Sequence, residues 1–99
     1  MSTPSPAGSV RSRLQAALRA AMRERDTVAA SGLRSALSAI ANAEAVSLPV
    51  AIAAAEAADR RAAARDYQAA GHADRAGRLR REAQAIESAL DITPPRDDA

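Results

Sequence analysis

Apolar residues recur three and four positions apart along most of this chain, the spacing of one face of an α-helix. The clearest run is Ala76, Leu79, Ala83, Ile86 and Leu90, which predicts a helix over 73–90. Near the start, Val10, Leu14, Ala17, Leu18, Ala21 and Met22 share a stripe, with Arg13, Arg19 and Arg23 opposite. This predicts a first helix over 10–25 with Ser9 as its N-cap. A second helix, over 27–45, takes Asp26 as its cap and carries Ala29, Leu33, Ala36, Leu37 and Ile40, with Arg34 beside them. Gly32 weakens that helix by about 1 kcal/mol relative to Ala, so a close backbone approach to a neighbouring helix is its expected role. Ser47-Leu48-Pro49 marks a restart, because proline suits a first helical turn. Gly71 suits the left-handed position that ends a helix. The third helix thus spans 49–70. Its stripe of Ile52, Ala55, Ala63 and Tyr67 is weak, since almost everything else in it is Ala.

Four helices with short connections predict an all-α fold: a small four-helix bundle or a pair of packed antiparallel helical hairpins. Residues 1–8, rich in Pro, Ser and Gly, read as a disordered tail. Residues 9–92 read as one helical domain, and 93–99 as a second disordered tail begun by Pro94-Pro95.

Composition narrows the chemistry. Nearly a third of the 99 residues are Ala, Phe and Trp are absent, and Tyr67 is the one aromatic. The core is therefore thin, which favours tight helix packing and leaves room for a homo-oligomer or a partner that completes it. No Cys is present, so there is no disulfide framework, thiolate nucleophile or zinc ribbon. Every basic residue is Arg, which excludes a Schiff-base lysine and a P-loop lysine. No apolar run approaches the length of a membrane span, and the first residues do not form a signal peptide, so a cytoplasmic protein is expected.

Candidate chemistry is sparse. His72 follows a helix-ending glycine and reads as an exposed or capping residue. The carboxylates Glu44, Glu56, Asp59, Asp66, Asp74, Glu82 and Glu87 lie near arginines at helical spacing, Glu82 with Arg78 for example, and read as solvated pairs. No catalytic residue, metal site, cofactor or small-molecule substrate is expected. Charge is distributed unevenly. Residues 1–43 hold six arginines against two carboxylates, and a second cluster comprises Arg75, Arg78, Arg80 and Arg81. Either cluster suits RNA phosphates or serves as a solvated polar face. A single Tyr is no base-stacking platform, so contact would be with the backbone of a folded RNA.

Arg25-Asp26, Leu33-Arg34 and Asn42-Ala43-Glu44, followed by Arg60, Tyr67, Ala70-Gly71-His72-Ala73-Asp74-Arg75-Ala76 and Glu82, occur in an order that resembles the GatB/YqeY family. The likeness runs from about Leu14 to Leu90. His72 replaces the usual Arg, Arg75 the usual Leu, and Leu79 stands where an acidic residue is often found. The family resembles the C-terminal part of the B subunit of tRNA-dependent amidotransferase and carries the label of a carbon–nitrogen ligase with glutamine as amido-N-donor. Typical members continue into a second small helical domain after the position of Leu90, so this sequence reads as a short form. The resemblance implies a tRNA-linked accessory. The residues themselves give a non-catalytic binding module, with Arg75 and Arg78 as phosphate contacts and Arg34 orienting the second helix through an ion pair. A protein–protein adaptor or homodimer without a nucleic-acid role is the alternative.

Overall fold

The computed structural model describes residues 6–43 and 48–94. Within them regular structure is entirely helical: α1 (Pro6–Arg23), α2 (Thr27–Asn42), α3 (Pro49–Ala69) and α4 (Ala73–Leu90). They form a small four-helix bundle of 53 × 31 × 23 Å, built from the hairpins α1–α2 and α3–α4. The core is alanine-lined. Leu14, Leu33 and Ile86 are its largest fully enclosed side chains, surrounded by Ala30, Ala36, Ala53, Ala57 and Ala83. Such small side chains let helix axes approach closely.

Gly32 marks the closest approach. A Cβ added there would lie 2.8 Å from the Glu82 carbonyl oxygen and 2.9 Å from the Glu82 Cβ. The glycine inside α2 is therefore the price of seating that helix on α4, as its interior position predicts.

Three of the four helices end in the same way. In each, an amide just past the helix donates to a carbonyl five residues back, and the residue immediately before that amide turns left-handed. Asp26 N donates to Ala21 O, His72 N to Tyr67 O, and Ile92 N to Glu87 O, each at 2.8 Å. The left-handed residues are Arg25 (φ 58°), Gly71 (φ 87°) and Asp91 (φ 58°). Only Gly71 adopts this conformation without a steric cost. The same turn that closes α1 also opens α2, because the Asp26 carboxylate accepts from Ala29 N at 3.0 Å.

Several expectations need correction. α1 begins at Pro6, so Ser9 lies within the helix and is not its cap, and residues 6–8 do not belong to a tail. Proline carries no N–H to leave unsatisfied in a first turn, so the helix starts there. Met22 is 54% exposed and does not join the α1 core stripe. α2 stops at Asn42, with Ala43 already extended, rather than continuing to Ala45. In α3 the buried face is Ala53, Ala57 and Ala64, while Ala55 is exposed and Ala63 and Tyr67 are half-buried. With so uniform a composition, hydrophobicity cannot choose the face; the inward-turned arginines described below do. The expected tails at 1–5 and 95–99, and the features at Glu44 and Ser47, fall outside the described residues.

Candidate functional site

Two adjacent arginines on α3 bind α4. Arg61 meets Glu87 through two parallel bonds, Nε to Oε2 at 2.8 Å and Nη2 to Oε1 at 2.6 Å. Glu87 is only 5% exposed, the one buried charged residue among those described. Arg60 bridges two carboxylates, donating from Nη1 to Glu56 Oε2 at 2.7 Å and from Nε to Glu82 Oε1 at 3.0 Å. Burial by itself lowers the Arg60 pKa, but hydrogen bonds and charge from Glu82 and Glu56 outweigh it and hold the pKa above the ordinary arginine value. Its guanidinium is therefore charged throughout the neutral range. No buried side-chain nitrogen or oxygen among the described residues lacks a partner, and Glu56, Glu82 and Glu87 each face an arginine.

That seam changes the electrostatics of α4. The Glu82–Arg78 pair expected from helical spacing does not form, because Glu82 turns to Arg60 instead. Arg78 is left exposed, and it makes no ion pair among the described residues. One turn earlier, the Arg75 guanidinium lies 4.7 Å from the centre of the Tyr67 ring, a cation–π stack that fixes its direction. The edge of His72 meets the same ring at 6.1 Å between centroids. His72 itself is exposed, as expected, and its side chain forms no cap bond to α4.

Arg75 and Arg78 thus form a ridge shared by two open depressions. One, of about 590 Å³, lies over the α3–α4 turn and is lined by Tyr67, Gly71, His72 and Asp74 beside the two arginines. The other, of about 360 Å³, lies against the first turns of α2, where Thr27, Val28 and Ser31 face Leu79 and Glu82. Arg81 extends the ridge beyond Arg78, across a third depression floored by Gly77. All three are open to solvent, and none encloses converging carboxylates.

Among the described residues the expected ion pair at Arg34 does not form. Arg34 is exposed and makes no ion pair among the described residues. The reason is local: α2 contains no carboxylate, and the nearest one, Asp26, is engaged as the helix cap. The structural ion pairs fall on Arg60 and Arg61, which helical spacing alone assigns to a charged face. A signal for them exists in the sequence: Arg60-Arg61 interrupts an alanine helix opposite a partner helix carrying Glu82 and Glu87. Among the described residues no group of His, Asp or Glu is arranged to hold a metal ion, and no helix is long and apolar enough to cross a membrane. Compared with family models, curated protein sequences and solved structures, the chain matches none.

Proposed function

We propose that this chain is a non-catalytic helical module that holds the phosphate backbone of a folded RNA across the Arg75–Arg78 ridge. The observation that carries the reading is the state of those two side chains. Both are exposed on adjacent turns of α4, one stacked on Tyr67 and so held in a fixed direction, the other without the carboxylate that helical spacing offered it. Guanidinium groups so disposed present several donors to phosphate oxygens. Shallow depressions on both sides accommodate a backbone but no enclosed substrate. The resemblance to the GatB/YqeY family makes tRNA the RNA to test first, as an accessory related to glutamine-dependent amidation. Catalysis is not part of the proposal: the carboxylates between α3 and α4 are paired with Arg60 and Arg61.

Fluorescence anisotropy with unfractionated tRNA over a series of salt concentrations tests this. Affinity is expected to fall steeply with salt. Arg75→Ala combined with Arg78→Ala should weaken binding and flatten the log–log salt slope by about two, one for each phosphate that is no longer neutralised. Absent or salt-independent binding would remove the proposal.

A further inference from the structure

A second surface lies at the other hairpin. Between the end of α1 and the start of α2 is a cleft of about 360 Å³ whose lining is mostly apolar. Ala21, Met22 and Ala30 form its floor, and Arg25 and Arg34 stand on its rim. Met22 is among the most exposed large apolar side chains of the described residues, at 54%. Asp26 also lines the cleft; its Oδ1 accepts from Ala29 N in capping α2, and its single negative charge stands against the two positive charges of Arg25 and Arg34.

We propose that this cleft docks a short acidic segment of a partner protein, seating one apolar side chain on Met22 between carboxylates held by Arg25 and Arg34. Charge complementarity identifies the occupant. The half of the chain that forms the cleft carries six arginines against two carboxylates, and both cations on the rim lack an ion pair among the described residues. An unbranched, adaptable thioether suits an apolar partner side chain. The backbone adds a further argument. Arg25 occupies the left-handed position that closes α1 (φ 58°), where glycine would sit without strain. A long cation held at that position costs conformational energy that the fold does not need. What it provides is a guanidinium at the mouth of the cleft.

This placement separates binding from folding. Arg25→Gly relieves the turn, so the variant should melt at the same temperature or higher while losing one of the two rim charges. The probe is a set of short synthetic peptides, each with one Leu or Phe flanked by Glu at helical spacing, together with the same peptides carrying Lys for Glu. Binding is read from the Met22 methyl resonance. Acidic peptides should shift it and the Lys series should not. Arg25→Gly and Arg34→Ala together should weaken the acidic peptides by about tenfold or more. Arg75→Ala with Arg78→Ala should leave peptide affinity unchanged, so failure of the RNA reading and failure of this one are distinguishable. Four results would overturn the proposal. They are no Met22 shift with any acidic peptide at millimolar concentration, equal shifts from the Lys series, a Met22 shift that tracks protein concentration together with sedimentation as a dimer, and displacement of the peptides by tRNA with loss of tRNA affinity in the Arg25/Arg34 variant.

Discussion

The two hairpins use the same side chain to opposite ends. In α3–α4, Arg60 and Arg61 turn inward and meet Glu56, Glu82 and Glu87, joining the helices through bonds of 2.6–3.0 Å. In α1–α2, Arg25 and Arg34 stand outside a packed apolar seam and meet no carboxylate among the described residues. The difference does not lie in the arginines. It lies in whether the facing helix supplies acid. α4 does, and its carboxylates hold α3 in register; neither α1 nor α2 carries one, so the arginines of that hairpin remain at the surface. An arginine in this molecule is therefore structural or available according to its partner helix, and Arg78 is available because Arg60 takes Glu82 from it.

Breaking the inward clamp should have the largest effect. Glu87→Ala removes the buried carboxylate that Arg61 holds through two bonds, and removing one partner of a buried pair costs about 3 kcal/mol. For a domain of this size that lowers the melting temperature by about 12–24 °C, readable by circular dichroism. Arg34→Ala, on the other hairpin, should change stability by less than about 0.5 kcal/mol. Equal losses from the two variants would erase the contrast between the hairpins.

The contact between the hairpins comes next. Gly32→Ala gains helix propensity but drives a Cβ to within 3 Å of the Glu82 backbone. Backbone cannot move aside as a flexible side chain can, so the variant should lose about 1–2 kcal/mol net, measured by urea denaturation. A stabilised variant would mean that α2 does not seat on α4 here.

The helix-closing turns sharpen the comparison further. Asp26→Ala removes the α2 cap and should cost about 1 kcal/mol. Gly71→Ala should cost a similar amount, about 1 kcal/mol, because its φ of 87° is strained for any residue with a Cβ, although nothing crowds the position. Arg25→Gly should move the other way, gaining at most about 1 kcal/mol. Paired thermal melts check the opposite signs.

Much of this fold is legible along the chain. Ala76 to Leu90 shows its face and its ends because Leu79, Ile86 and Leu90 punctuate it at unambiguous spacing. Asp26, Pro49, Gly71 and the close approach at Gly32 are legible because each residue has a narrow set of backbone or packing uses. α3 is not, since an alanine helix offers hydrophobicity no direction; its face is chosen by Arg60 and Arg61 finding acid on a helix more than twenty residues away. The same long-range choice hides the state of Arg78, whose obvious partner lies one turn along its own helix. Met22 misleads for a simpler reason: α1 ends beside it, and a residue in the last turn of a helix can fall beyond the reach of the core. Arg34 misleads because a basic residue beside an apolar stripe suggests an ion pair, whereas α2 carries no acid to supply one.

The central claim is that the placement of Arg75 and Arg78 on one ridge, not positive charge as such, carries the proposed RNA binding. The most direct measurement compares tRNA affinity, at matched salt, for the Arg75→Ala/Arg78→Ala variant and the Arg25→Ala/Arg34→Ala variant, which remove equal charge from opposite hairpins. The account predicts a loss of about tenfold or more for the first and none beyond measurement error for the second. Equal losses in both, or no tRNA binding by the unmodified protein, would contradict it.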